Sequence, residues 1–286
     1  MTCANLFPQN NFGQHLRLRR LPSPVNFIAM PSVHTERSEA LAAAAGSAEK
    51  RAYVRRVFSE IAPRYDLLNH VLSFNIDKRW RRRAVAALRW DRDPAGVYVD
   101  LCAGTMDVSN EIARHPGFRG TVLGTDFAEP MLRAGREKVA SHPVAPVVAD
   151  ATTLPVRAGS AAGAIVAFGA RNLADLDAGL TEAARVLRDG GTFVILEFST
   201  PRIPIFRTLY RVYFHHILPV LGRLVSRHRT AYRYLPTSVD NFPNEGELAL
   251  RMARAGFTDV HVQRLTFGIA AIHAGVRRRS ANGAAA

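Results

Sequence analysis

No apolar run in the sequence approaches the roughly 18 to 20 residues needed to cross a bilayer as a helix, so a soluble or peripheral protein is expected. Cysteine is almost missing. Cys3 falls in a stretch of disordered character and Cys102 at the end of an expected strand, so a structural disulfide is not expected and a reducing compartment fits. The first thirty residues contain no acidic side chain but do contain Arg17, Arg19 and Arg20, and sustained hydrophobic periodicity is missing up to residue 47. Residues 1–47 are expected to be a disordered extension without function. A transit peptide has a similar composition, but the stretch is only weakly amphipathic, and Met30 offers an alternative start that removes it. His215, His216 and His228 lack acidic partners at ligand spacing, so no metal is expected.

What is abundant is positive charge. Against 24 Asp and Glu stand 38 Lys and Arg, a net +14 that attracts nucleic acid or an anionic membrane surface, and that a merely solvated basic surface would also give. The 286 residues suit one large domain with extensions, and so one active site.

From about Ala48 the pattern turns helical, with Tyr53, Val54, Val57, Phe58 and Ile61 on one face until Pro63 interrupts; a second helical stretch follows at Lys78–Leu88. The chain then alternates. Strands are expected at Val97–Leu101, Val122–Thr125, Val144–Ala149, Ala164–Phe168 and Thr192–Phe198, with helices between them, including Asp177–Leu187. Such alternation gives a mainly parallel sheet with helices on both faces, an α/β class. Ile203–Arg229 mixes aromatic and aliphatic residues with Arg and His and has no strand pattern. A helix at Asn244–Ala255 and two strands within Val260–Val276, joined by a tight turn near Thr266–Gly268, close the chain with an antiparallel pair.

The most informative segment is Val97–Asp107, a strand feeding a small-residue turn and then a helix, because ligands of such sheets bind at the carboxyl ends of the strands. Gly104 permits close backbone approach, Asp100 is suited to hold the turn, and Thr105 offers a hydroxyl and an amide. A dinucleotide site needs a second glycine where this chain has Met106. A side chain there disfavours a pyrophosphate but suits S-adenosylmethionine, which has none. Asp126, 22 residues beyond Gly104, is placed to accept both ribose hydroxyls, although an Asp after a strand is also a common helix cap. Asp150 and Ala151, after the third strand, are placed to meet the adenine ring.

The chain resembles the ubiquinone/menaquinone biosynthesis C-methyltransferases of the UbiE/MenG type over about residues 50–275. The stretches that carry the likeness are Phe58–Asn69 with Ser73 and Arg79-Trp80, Phe168-Gly-Ala-Arg-Asn172, Leu196-Glu-Phe-Ser199, Tyr232-Arg-Tyr-Leu-Pro236 and Leu265–His273. The resemblance implies a class I methyltransferase Rossmann-like fold over residues 48–276, with a substrate lid at 203–240 and a flexible tail at 277–286. It implies S-adenosylmethionine contacts at Thr105, Asp126, Asp150 and Ala151, and methylation of a lipid-tailed quinol at ring carbon. The setting it implies is cytoplasmic, at the inner face of the membrane, as a monomer or a homodimer and without nucleic acid. Two departures bear on cofactor affinity: Met106 where these enzymes more often have Gly, and Ala167 where many have Ser.

Methyl transfer is an in-line displacement, so the protein must chiefly align the acceptor with the methyl group and exclude water. Arg171 is the first choice to stabilise a developing phenolate, because a guanidinium stays charged and donates directionally; for the same reason it is a poor base. Asn172 is suited to orient a quinol oxygen, and Tyr65, Asp66 and Tyr232 to relay the proton. The plainer alternative makes Arg171 half of a structural ion pair and the tyrosines core aromatics. Arg207, Arg211, Arg223 and Arg227 would face lipid headgroups from the lid, unless the segment is an ordinary packed helical pair. Two other functions fit parts of the sequence. A nucleic-acid methyltransferase fits the charge, but Phe168–Asn172 stands where an N-P-P-Y type segment would be; a noncatalytic cofactor-binding partner in a quinone-biosynthesis assembly fits Met106 and Ala167.

Overall fold

The computed structural model describes residues 50–67, 73, 75–213, 216 and 231–278. The expected extension at 1–47, the tail from 279, and the centre of the expected lid with Arg223 and Arg227 lie outside the described residues, as does the side chain of Tyr232.

Helix α1 (Lys50–Ile61) buries Lys50, Tyr53, Val54 and Val57, the face set by the apolar spacing, and gives way to a single 3-10 turn, Ala62–Arg64, where Pro63 interrupts the pattern. Helix α2 (Ile76–Ala87) turns Trp80, Ala84 and Val85 inward, and Trp80 Nε1 donates to Thr266 Oγ1 at 2.8 Å. Then come β1 (Val97–Leu101), α3 (Asp107–Ala113), β2 (Thr121–Asp126), α4 (Glu129–Val139), β3 (Val144–Val148), β4 (Ala161–Ala167), α5 (Leu176–Val186) and β5 (Leu187–Phe198). The rest is α6 (Pro204–Val212), α7 (Ala231–Asp240), α8 (Glu245–Arg254), β6 (Phe257–Leu265) and β7 (Ala270–Arg277).

The strands form one seven-stranded sheet in the order β3-β2-β1-β4-β5-β7-β6. All neighbours from β3 to β5 are parallel, and β7 runs antiparallel between β5 and β6. This is the expected class I methyltransferase sheet with its closing antiparallel pair. The pleat sorts β1 onto two cores: Tyr98 packs with Trp80, Leu88 and Ile112 of α2 and α3, while Val99 and Leu101 pack with Leu180, Ala183 and Met252 of α5 and α8. Strand order reverses between β1 and β4, and at that switch point the carboxyl ends of the strands open a crevice.

Two boundaries differ from the sequence reading. β5 begins at Leu187 rather than Thr192: Leu187 pairs with Ala161 and Thr192 with Gly163, and Arg188–Gly191 bulges out between these pairs, with Gly190 at φ 78°. β6 begins at Phe257, a fully buried residue stacked on Phe193 at 5.1 Å.

One close approach positions the crevice. A Cβ at Gly135 of α4 would lie 2.2 Å from the carbonyl oxygen of Thr105, so only glycine lets the helix rest on the turn after β1. Gly135→Ala is expected to destabilise the fold by about 1 to 3 kcal/mol and to weaken S-adenosylmethionine binding as the turn shifts. Gly159→Ala, at φ 67° with nothing within 4 Å, carries backbone strain alone and should leave cofactor affinity unchanged. Thermal unfolding and titration calorimetry of the two variants check this contrast.

Candidate active site

After β1 the backbone alternates into the left-handed region at Cys102, Gly104 and Met106, with φ of 54°, 55° and 61°. The turn is held from both sides. Gly104 N–H donates to Asp126 Oδ2 at 2.9 Å and Ala128 N–H to Asp126 Oδ1 at 2.8 Å, so one carboxylate joins the turns after β1 and β2. Beneath it, Asp100 Oδ2 accepts from the Ser109 amide at 2.9 Å and its hydroxyl at 2.7 Å, which caps α3 from a neighbouring strand. Asp100 thus supports the turn, as the sequence suggested.

Beyond the turn, Thr105 Oγ1 donates to Asp66 Oδ1 at 2.6 Å and accepts from Lys138 Nζ at 3.0 Å. Lys138 in turn pairs with Asp66 at 2.5 Å and with Asp107 at 2.7 Å. Thr105 is buried and its hydroxyl serves this network, which fastens the segment after α1 to the glycine turn. Asp66 is therefore an ion-pair partner of Lys138 here, and Lys138 is a residue that no local pattern in the sequence singled out.

The crevice is lined at its floor by Cys102, Gly104, Asp126, Phe127, Asp150 and Ala151, and is covered by Arg51, Val54, Phe58 and Tyr65. Arg51 pairs with Asp150 Oδ2 at 2.9 Å across it, while Asp150 Oδ1 accepts from the Thr152 amide and hydroxyl. Burial raises Asp126, against the pull of its backbone donors, and raises the Cys102 thiol well above its ordinary value, with Asp126 and Asp100 adding to it. Cys102 is accordingly no nucleophile.

This lining fits S-adenosylmethionine. Asp126 retains acceptor capacity for ribose hydroxyls, and Phe127, Met131 and Ala151 give an apolar bed for adenine. Among the described residues, Arg51 is the sole cationic one lining the crevice, and its charge is already answered by Asp150, as suits a nucleoside without phosphates. Met106 does not enter the crevice: its fully buried side chain packs on Leu132 and Val139. Ala167 does line the crevice, where a serine would have added a hydroxyl.

At the far wall a 3-10 turn, Ala170–Asn172, follows β4. Asn172 faces the crevice, and its Oδ1 is buried without a hydrogen-bond partner among the described residues. Arg171 Nη1 donates to Glu197 Oε1 at 2.7 Å and to Phe168 O at 2.5 Å, its guanidinium lies over the Phe198 ring, and its Nε has no partner among the described residues. The ion pair envisaged as the plainer alternative is present, yet it leaves one donor unspent. Tyr234, beside Tyr53 at 5.5 Å, has a buried hydroxyl without a hydrogen-bond partner among the described residues, and burial raises its pKa, which keeps the phenol neutral. The sequence reading chose Tyr232 and passed over Tyr234 and Glu197, although an acid within the apolar strand Thr192–Phe198 was a visible signal.

Asp100 also makes the fold sensitive to pH. Burial pushes its carboxyl up to about 7, above the unfolded value of 3.8. Between those values the unfolded chain gives up a proton that the folded chain keeps, so stability falls as pH rises from about 4 to about 7. Asp100→Asn retains an acceptor oxygen for Ser109 and should flatten this part of the curve, measured as urea unfolding at several pH values.

The geometry agrees with three comparisons. The chain has the fold of a methyltransferase from Thermotoga maritima described as S-adenosylmethionine-dependent and a possible histamine N-methyltransferase, with TM-score 0.57 and 17% identity, covering 79% of this chain and 100% of that one. It is 45% identical over 231 residues to the ubiquinone/menaquinone biosynthesis C-methyltransferase of Geobacter sulfurreducens, which spans 79% of this chain and 89% of the relative. It is 48% identical over 224 residues to the demethylmenaquinone methyltransferase of Thermus thermophilus, 77% of this chain and 100% of the relative. Residues 46–277 match the profile of the ubiE/COQ5 methyltransferase family, and the chain belongs to that family.

Proposed function

We propose that this protein carries out S-adenosylmethionine-dependent C-methylation of a polyprenyl quinol ring, converting demethylmenaquinol to menaquinol, or methylating the corresponding methoxybenzoquinol of ubiquinone biosynthesis. The observation that carries the reading is the turn Ala170–Asn172, which sets an unpartnered Asn172 carbonyl on the cofactor crevice and an arginine with an unspent donor directly beside it. The names of relatives at 45% and 48% identity support quinone substrates, and the second supports a naphthoquinol first.

S-adenosylmethionine, when bound, supplies an electrophilic methyl group on a sulfonium. The chain supplies the rest. Asp126 receives the ribose hydroxyls, Gly104 lets the backbone approach the amino-acid end, and Ala151 borders the adenine, with Thr105 and Asp100 holding these groups in register. The acceptor is the reduced ring, because removing a hydroxyl proton moves electron density onto the adjacent ring carbon. Arg171 stabilises the oxyanion that develops, and Asn172 orients the quinol oxygen. Tyr65, on the crevice wall against Phe58 at 5.9 Å, completes the passage for the proton.

Helix α6 suits a membrane-borne substrate. Ile203, Ile205, Leu209 and Val212 are exposed on it or beside it, and Phe206 stacks on the exposed Phe267 of the β6–β7 turn at 4.4 Å. With Arg211 also exposed and a net charge of +14, this apolar face would rest on an anionic leaflet and admit the isoprenoid tail. Among the described residues no helix is long and apolar enough to cross a membrane. Ile205→Ser with Leu209→Ser should abolish cosedimentation with vesicles containing phosphatidylglycerol and leave S-adenosylmethionine affinity intact.

The deciding assay is methyl transfer from labelled S-adenosylmethionine to chemically reduced demethylmenaquinol and to the reduced polyprenyl methoxybenzoquinol, with mass analysis of the ring. Product from either names the preferred ring. No product from both, with the cofactor bound, points to a noncatalytic role. Asp126→Ala should raise the cofactor dissociation constant at least tenfold. Arg171→Ala should lower kcat by about 10²-fold or more with cofactor affinity nearly intact. Because that variant leaves Glu197 buried and unpaired, at a cost of about 3 to 5 kcal/mol, Arg171→Lys is measured beside it and should also lose turnover.

A further inference from the structure

The ammonium of Lys138, near the end of α4, has three N–H groups and three acceptors around it. They are Asp66 Oδ2 at 2.5 Å, Asp107 Oδ1 at 2.7 Å and Thr105 Oγ1 at 3.0 Å. These belong to three different places: the segment after α1, the first residue of α3 and the turn after β1. Thr105 Oγ1 closes the arrangement by donating to Asp66 Oδ1 at 2.6 Å. Lys138 reaches this point because Gly135, three residues earlier on the same face of α4, lets the helix rest on the Thr105 carbonyl. The pairing continues away from the crevice: Asp107 Oδ2 meets Arg81 at 3.1 Å, Arg81 meets Asp77 at 2.6 Å, and Asp77 Oδ1 accepts from Ser73 Oγ at 2.6 Å. Asp66 and Ser73, both in the connection between α1 and α2, are thereby fastened to one ionic chain.

By itself such a chain supports the fold. The residue before Asp66 gives it a bearing on the site. Tyr65 lines the crevice with Phe58, Val54 and Arg51, and its Cε1 would lie 3.9 Å from a Cβ at Gly104, so its ring stands over the glycine turn. The Thr105 hydroxyl gives its proton to Asp66 and accepts from Lys138, so it serves the cofactor through this contact.

We propose that Lys138 is a positioning residue of the cofactor site: by holding Asp66 against Thr105 it keeps Tyr65 over the glycine turn, so that the cover of the crevice and the turn that receives the cofactor stay in one register. Apolar packing alone leaves that register loose. Ala62, on the same segment, packs on Ala128 and Met131 at the start of α4, contacts that tolerate sliding, whereas short charged hydrogen bonds to one ammonium fix distance and direction. The side chains of Lys138, Asp66 and Asp107 are only 26%, 32% and 23% exposed, so salt screens these pairs less than pairs on the open surface. The inference goes beyond the quinol reading and needs only the cofactor site; its turnover arm alone rests on that reading.

Two variants test it. Lys138→Met keeps the length of the side chain and removes its donors, and Asp66→Asn keeps the shape and removes the charge. Both are purified as the full chain, with thermal unfolding as the check of the fold; should Lys138→Met not fold, Asp66→Asn carries the same comparison. Hydrogen exchange of the peptide spanning residues 59–66 is followed with and without saturating S-adenosylmethionine. In wild type the cofactor should slow exchange there about tenfold or more, and in either variant by less than about twofold. A lysine that only supports the fold would, when removed, speed exchange equally in the free and bound states and leave the wild-type ratio unchanged; that result would overturn the proposal. The cofactor dissociation constant should rise about three- to tenfold in each variant, and no further in the double variant, because both changes break one contact. Additive losses would overturn the proposal as well. With wild type active on the reduced quinol, kcat of Lys138→Met should fall about tenfold or more with little change in the KM of the quinol, and an unchanged kcat would overturn the role in turnover. Failure of wild type to methylate either quinol would count against the quinol reading, and the exchange ratio would still decide the role of Lys138.

Discussion

One buried carboxylate sets the distance between the two turns that make the crevice. Asp126 accepts from the amides of Gly104 and Ala128, so the turns after β1 and β2 cannot separate without stranding two backbone donors in a place that water scarcely reaches. The remaining supports act on the same turn. Asp100 fixes the start of α3 beneath it, Gly135 lets α4 rest directly on Thr105, and Lys138 draws Asp66 and Thr105 together above it. A site for a nucleoside is thereby built before the nucleoside arrives, and little binding energy need go into arranging it.

The acceptor side is organised differently, by charge that is paired but not exhausted. Burying Arg171 would be costly alone, and Glu197 offsets most of that cost. The pair leaves Nε over, and the adjoining Asn172 Oδ1 and Tyr234 hydroxyl likewise have no partner among the described residues. Buried polar groups normally find partners, so several such atoms round one turn are what support reading it as the acceptor side. Among the described residues the cofactor side holds no comparable surplus: its carboxylates, Asp126 and Asp150, are already bonded to the protein.

Most of the fold was legible because it rests on periodicity and on short turns. The four buried residues of β1 and the Gly104 turn announce themselves locally, and the order of elements implies the sheet. The start of β5 was not legible, since Arg188–Gly191 reads as a loop, and it lies within the strand only as a bulge between Leu187 and Thr192, which pair with β4. At the site, the strand-end residues Asp126, Asp150 and Ala151 were found where the sequence put them, because a strand end is a fixed address in this architecture. Lys138 and Arg51 were missed for the opposite reason. Each lies on the outside of a helix and reaches an acid that is distant in sequence, and no spacing rule connects the two. Tyr234 was quoted and then set aside for Tyr232, a choice between neighbours that only a helix's placement can make.

Met106 and Ala167, the two departures from the family's usual residues, were the ground for doubting catalysis, and they do not weigh equally. A non-glycine residue at φ 61° costs about 1 kcal/mol or more of backbone strain. That cost is answered by a side chain removed wholly from water and packed on Leu132 and Val139, which for a methionine is worth about 1.5 to 3 kcal/mol. Glycine is required at such a position when a phosphate must lie against the backbone, and among the described residues the crevice lining has no spare cation to hold one. Met106 thus trades a freedom that this cofactor does not use for packing between α4 and the turn. Ala167 leaves the crevice wall without a hydroxyl at that point, and the polar groups of Arg171 and Asn172 lie on the turn that follows it.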